Sequence, residues 1–150
     1  MDMTGSYRIS APRETVWAAL NDVEVLKLCI PGCEEIEQTS PTNMTAVVVQ
    51  KIGPVKARFV GAIELLNIEA PASYTIQGEG QGGVAGFAKG SAQVSLAEQQ
   101  GGCELIYEAE AQVGGKIAQM GTRLLQGVAN KLADQFFASL ARHAEAESIA

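Results

Sequence analysis

The sequence predicts an α+β layer protein: one strand, two short helices, six further strands joined by short turns, and a long amphipathic helix that closes the chain. Three observations lead there. In the last third, apolar residues recur at helical spacing. From Cys33 to Val113 the period falls to two, interrupted by Gly, Pro, Asn and Ser clusters. Between the first strand and that region, a proline-marked segment carries helical rather than alternating apolar residues.

The elements follow in order. Met3 to Ile9 is the first strand. Ser10-Ala11-Pro12 supplies a cap residue and an early helical proline, and Glu14 places a carboxylate in the first turn, so a helix runs through Thr15 to Leu20. Asn21-Asp22 ends it and caps a second short helix carrying Val23, Leu26, Leu28 and Ile30, which Pro31-Gly32 terminates. Cys33 to Glu37 leads through a Ser40-Pro41-Thr42-Asn43 turn to Met44–Lys51. Gly53-Pro54 turns the chain into a long strand, Val55 to Glu69. Ala70-Pro71-Ala72 precedes Ser73–Gly80, a glycine-rich bend precedes Ala85–Ala97, and Gln99-Gln100-Gly101-Gly102 precedes Cys103–Val113. Consecutive strands with short turns form an antiparallel meander, with the helices grouped on one side.

The closing helix is expected from about Gly114 to Ala144. Ile117, Met120, Leu124, Leu125, Val128, Leu132, Phe136 and Leu140 form one stripe, and Lys116, Gln119, Arg123, Gln126, Asn130 and Asp134 the opposite one. Gly121 and Gly127 inside it each sacrifice roughly 1 kcal/mol relative to alanine, which points to a close approach to the helix backbone.

Alternation assigns the sheet faces. The inner face of the last strand reads Cys103, Leu105, Tyr107, Ala109, Ala111, Val113, because the other face carries Glu104, Glu108, Glu110 and Gln112. The preceding strands present Gly86, Ala88, Gly90, Ala92, Val94, Leu96 and Tyr74, Ile76, Gly78, Gly80. Such small inner residues have two readings. They let the sheet bend and the helix approach, or they leave an apolar cavity between sheet and helix for a lipophilic molecule held by shape. The side chains placed around such a cavity are Trp17, Leu26, Ile30, Phe59, Ile63, Tyr107, Ala109, Met120, Leu124 and Val128. Ordinary core packing is the alternative for each of them.

Composition excludes several classes. The 150 residues suit one domain, 1–150, with a single core. Eleven basic against 17 acidic side chains give a net charge of −6, which argues against nucleic acid as a partner. Residues 1–115 carry a net −7 and residues 116–150 a net +1, so the closing helix is the least acidic part. No signal-peptide pattern and no long apolar run occur, and three cysteines without a secretion signal fit a reducing, cytoplasmic location. The only histidine, His143, sits in the closing helix beside Arg142 and reads as solvated. Cys29 and Cys33 do not have zinc-site spacing, the Gly78–Gly83 stretch lacks a P-loop lysine, and no nucleophile–His–acid set is present. Neither a metal nor an intrinsic cofactor is expected, and no residue set proposes an enzyme.

Several motifs together resemble the CoxG family of carbon monoxide dehydrogenase. They are Cys29-Ile30-Pro31-Gly32-Cys33-Glu34; Gly53-Pro54-Val55-Lys56-Ala57 with Phe59 and Gly61; Gly78-Glu79-Gly80 with Ala88-Lys89-Gly90; and Val113-Gly114-Gly115-Lys116-Ile117-Ala118 with Gly121, Arg123 and Phe136-Phe137. The series covers nearly the whole chain in order. The resemblance implies a helix-grip fold of the START-like, Bet v 1-like (SRPBCC) superfamily, in which a curved seven-stranded antiparallel sheet wraps around the C-terminal helix. It further implies a non-catalytic accessory protein of a molybdenum hydroxylase of the carbon monoxide dehydrogenase type. Such a protein would bind a respiratory quinone or other lipid in its cavity and aid membrane recruitment or electron delivery, at the inner face of the membrane. Longer members carry a further C-terminal segment able to hold the membrane; here the sequence ends Glu145-Ala146-Glu147-Ser148-Ile149-Ala150, so membrane contact is expected to be transient. Two other roles remain open at this point: a cyclase- or hydrolase-like enzyme of the same superfamily acting on an aromatic substrate, and a purely structural assembly factor.

Overall fold

In the computed structural model, which describes residues 1–149, seven strands form one antiparallel sheet in the order β1-β7-β6-β5-β4-β3-β2. The strands are β1 (Asp2–Ile9), β2 (Cys33–Ser40), β3 (Asn43–Ile52), β4 (Val55–Glu69), β5 (Ser73–Gln81), β6 (Phe87–Gln99) and β7 (Gly102–Gly114). Three α-helices accompany them: α1 (Arg13–Leu20) and α2 (Val23–Cys29) between β1 and β2, and α3 (Thr122–Ile149) at the end. Strand β1 pairs with β7, the last strand, so the two short helices and the five intervening strands form one excursion from a single sheet edge. This is the helix-grip arrangement, with α3 packed against α1, α2 and β1.

Local chemistry accounts for most boundaries. Asp22 caps α2, its carboxylate accepting a hydrogen bond from the Glu24 N–H at 2.9 Å. The capping expected of Ser10 is absent. The N-cap of α1 is Pro12, without a side-chain bond, and the Ser10 N–H instead donates to Glu145 of α3 at 2.9 Å. The β2–β3 turn is held by Asn43, whose Oδ1 accepts from the hydroxyls of Ser40 (2.9 Å) and Thr42 (3.0 Å).

Several boundaries shift by one to three residues, the closing helix runs on to Ile149 instead of ending near Ala144, and two starts differ for a clear reason. Strand β6 begins at Phe87, because Ala85 belongs to a short 3-10 turn, Gly83–Ala85, and is buried there. The closing helix begins eight residues later than the expected Gly114, and five later than the start of its apolar stripe at Ile117. Strand β7 runs on to Gly114, residues Lys116–Met120 form a separate 3-10 turn, and only from Thr122 is the chain α-helical. Gly115 (φ +79°) and Gly121 (φ +92°) flank that turn in a conformation closed to a regular right-handed helix. Gly121 is therefore a junction residue and not a helix-interior one. No close approach explains Gly127 either: it is exposed, and a Cβ added there would meet nothing within 4 Å. Within α3 the deeply buried residues are Leu125, Phe137, Leu140 and Ala144, with Phe137 instead of Phe136 taking the innermost aromatic position.

The core divides in two. A larger cluster gathers α1, α2, the C-terminal half of α3 and one end of the sheet, and includes Ile9, Val16, Leu20, Leu26, Leu105, Tyr107 and Leu140. A smaller one at the other end comprises Ile52, Ala57, Ala85, Ile117 and Leu125.

Candidate functional site

A cavity of about 480 Å³ separates the concave sheet face from the first half of α3. Its volume falls within the roughly 300–1,000 Å³ typical of small-molecule sites. Ile52, Ile117 and Leu125 belong both to its wall and to the smaller core cluster, whereas Ile30 and Ile63 pack against the larger one. The void therefore lies where the two clusters fail to meet.

The floor is made by the alternation of the strands. From β3 come Ala46, Val48, Gln50 and Ile52, from β4 Phe59, Gly61 and Ile63, and from β5 Gly78 and Gly80. Ala88 and Gly90 of β6 and Ala111 and Val113 of β7 complete it. Val128, Ala129 and Leu132 of α3 form the roof. Glu79 and Lys89 also border the space. They face each other in the β5–β6 register, and both are exposed and border a groove on the convex side, so their main chain is what reaches the cavity.

The glycines of this floor answer to two different constraints. A Cβ at Gly61 would collide with the Glu79 carbonyl, and one at Gly90 would lie 2.7 Å from the Glu110 carbonyl, so at these positions backbone runs too close for any side chain. At Gly78 the nearest atom is the Ala62 carbonyl at 4.0 Å. Gly78 thus leaves room in the cavity, while Gly61 and Gly90 permit the curvature; both readings of the small inner face hold, at different residues.

One polar side chain projects into the void. Gln50 donates from Nε2 to the Pro31 carbonyl at 2.6 Å, tying β3 to the turn after α2, and its Oε1 accepts no hydrogen bond among the described residues. Strand β3 alternates Met44, Ala46, Val48, Gln50, Ile52 on its inner face, so a glutamine breaking an apolar series was the available signal for this residue.

Of the ten side chains expected around the cavity, Ile30, Phe59, Ile63 and Val128 line it. The other six stand elsewhere. Leu26 is buried in the larger cluster, and Trp17 packs there against Tyr74, ring centroids 5.4 Å apart. Tyr107 stacks on Phe137 at 4.4 Å, filling the space that Gly5 leaves opposite it, and Ala109 packs against the same cluster. Met120 packs against the smaller cluster, and Leu124 is 41% exposed; both lie beside Gly53 of the β3–β4 hairpin. For Trp17, Leu26, Tyr107 and Ala109 periodicity assigned the correct face but not the depth along the element; Met120 falls in the 3-10 turn before α3, and Leu124 opens to solvent.

Of the titratable groups among the described residues, only Glu79, Lys89 and the chain-start Met1 border the void; the tyrosines and cysteines lie away from it. Burial raises the Tyr74 and Tyr107 hydroxyls above their ordinary range, and neither lines the cavity. Cys29, Cys33 and Cys103 are free thiols raised by burial, which works against thiolate chemistry. No cluster of three metal-ligating side chains occurs among the described residues. No helix among them is long and apolar enough to cross a membrane.

Comparison with known proteins places this architecture. A conserved protein from Geobacillus kaustophilus superposes with a TM-score of 0.89 at 32% identity, over 96% of this chain and 95% of that one. Ara h 8.0201 shares the fold at 15% identity (TM-score 0.68; 96% and 97% covered). So does the Zhui aromatase/cyclase from Streptomyces sp. R1128, at 12% identity (TM-score 0.66; 97% and 93% covered). No curated protein matches the sequence. The carbon monoxide dehydrogenase CoxG profile matches residues 5–145, which takes in the sheet, the apolar void and nearly all of α3, and the chain accordingly belongs to the CoxG family.

Proposed function

We propose that this protein is a non-catalytic carrier that holds a lipophilic molecule, a respiratory quinone or a close analogue, in the cavity between sheet and α3. It serves a molybdenum hydroxylase of the carbon monoxide dehydrogenase type as an accessory protein, aiding its recruitment to the membrane or the delivery of its electrons. The observation that carries this reading is the cavity itself, lined predominantly by apolar side chains and provided with one inward polar side chain, Gln50. Such a wall selects by shape and greasiness, and the second N–H of the Gln50 amide, the one not donated to Pro31, suits one carbonyl oxygen on a ring.

The fold also serves aromatase/cyclases, and an enzyme would need an acid or base in contact with its substrate. The lining offers no free one: Gln50 does not titrate, Glu79 and Lys89 present their side chains to the convex groove, the Met1 ammonium donates to the Ala111 carbonyl at 2.9 Å, and Tyr74 and Tyr107 are held in the core. This favours the carrier over the enzyme.

Native mass spectrometry of the purified protein, with solvent extraction of anything bound and titration with a short-chain quinone, tests the reading. Saturable one-to-one uptake is expected. Gly78→Leu should reduce it at least tenfold with the circular dichroism spectrum unchanged, because the added side chain enters the void without striking backbone. Gly90→Leu would be a poorer probe, since it collides with β7. A folded protein that takes up no quinone would overturn the proposal and leave a structural assembly role.

A further inference from the structure

Three connections meet at the end of the molecule where the smaller core cluster lies: the β3–β4 hairpin (51–56), the β5–β6 connection (81–87) and the β7–α3 junction (114–124). Gly53 of the first stands beside Met120 and Leu124 of the third, and Gly86 of the second packs directly on Gly114 and Gly115. These segments carry four basic side chains, Lys51, Lys56, Lys116 and Arg123, and no acidic one. The rest of the chain carries seven basic and 17 acidic side chains. The three connections are therefore +4 and the remainder of the chain −10; the chain start and the α2–β2 turn at the same end add the Met1 ammonium with Asp2 and the Arg58–Glu34 pair, which leave it positive.

The same end exposes apolar side chains. Val84 is 92% exposed at the tip of the β5–β6 connection, Leu124 41% and Phe87 36%. All four cations are exposed, and none makes an ion pair among the described residues; the neighbouring Arg58, by contrast, is held by Glu34 at 3.6 Å. Unpaired cations around projecting apolar residues match the two layers of an anionic bilayer, whose headgroups attract the charge while its interface receives the apolar tips. An acidic surface alone would account for the lysines, whereas an anionic bilayer accounts for the lysines and the projecting Val84 together.

We propose that this three-connection end is a docking surface for an anionic lipid bilayer. Ile52 and Ile117, which line the cavity, belong to these connections, so docking brings the void against the lipid from which a greasy occupant comes. That last step rests on the carrier reading; the docking itself rests on the charge and the exposed side chains.

The test uses quinone-free vesicles, of phosphatidylcholine alone or mixed with equal phosphatidylglycerol, and reads co-flotation of the full chain. Binding is expected only with phosphatidylglycerol, and it should fall as ionic strength rises from about 0.1 M to about 1 M, where the screening length shrinks from roughly 10 Å to 3 Å. Each charge neutralised should lower partitioning about fivefold. The quadruple variant K51Q/K56Q/K116Q/R123Q should therefore lose nearly all binding, and Val84→Ser should weaken it. K27Q/K131Q, which removes two cations outside the three connections, should bind within about twofold of the original. Equal binding to both lipids, no flotation of the original chain, or undiminished binding by the quadruple variant would each overturn the proposal. Quinone uptake measured in solution on the same quadruple variant should be unchanged, which separates failure of the docking surface from failure of the carrier.

Discussion

Tyr7 shows how much one side chain can couple in this fold. Its ring stacks on Phe137, and its hydroxyl donates to Asp134 at 2.8 Å, joining the edge strand β1 to the middle of α3. Desolvation, reinforced by that hydrogen bond, pushes the phenol up to about 12 from an ordinary 10. A group raised in the folded state contributes its full stability below its unfolded value and loses it as pH climbs through the folded one. Tyr7→Phe should thus cost about 0.5–1 kcal/mol at pH 8, and the gap between the two proteins in urea denaturation should close as pH approaches 12. A gap that stays constant between pH 8 and 12 would mean that ionisation of the phenol is not linked to folding, and no gap at pH 8 that the hydroxyl contributes nothing. At this scale the sequence was only partly legible. Ile30, Phe59, Ile63 and Val128 were found because alternation and helical spacing tell which face a residue occupies. Trp17, Leu26 and Tyr107 share the inward face yet stand in the larger cluster, since no local pattern reports distance along the sheet.

Among the elements, α2 depends most on a single residue. It has seven residues, too few to be stable alone, and Asp22 supplies the side-chain bond to its first turn. Asp22→Ala should destabilise the protein by about 1 kcal/mol, measurable by urea denaturation, with faster amide exchange across Val23–Cys29; an unchanged midpoint would show that packing against α3 alone holds the helix. Strand positions were largely readable, down to both ends of β4, because Gly, Pro and Asn mark turns through their own backbone preferences. The start of α3 was not. Ile117 and Met120 fall at helical intervals before Leu124, but the apolar period continues through a 3-10 turn, whereas the chain path is decided by the left-handed Gly115 and Gly121. A stripe of side chains does not record the sign of φ.

At the level of the whole molecule, two core clusters with a gap between them imply a structure that an occupant would complete. A ligand present at a hundred times its dissociation constant adds about 2.7 kcal/mol, so a short-chain quinone should raise the melting temperature by roughly 5–10 °C. The rise should be lost in Gly78→Leu; an equal rise in that variant would place the binding site elsewhere. The global architecture was legible from element order, while the void was only suggested by small residues, because Gly61, Gly78 and Gly90 look alike in sequence and differ only in what lies opposite them. The open sheet has one more consequence. A cup, unlike a closed barrel, ends in two strands with an unpaired side, and one of them, β2, carries Glu34, Glu35 and Glu37, all exposed. Two such rims meeting face to face would bring six like charges together, so this carboxylate run acts as a guard against fibre-like polymerisation, letting molecules crowd side by side without growing into one another's sheets.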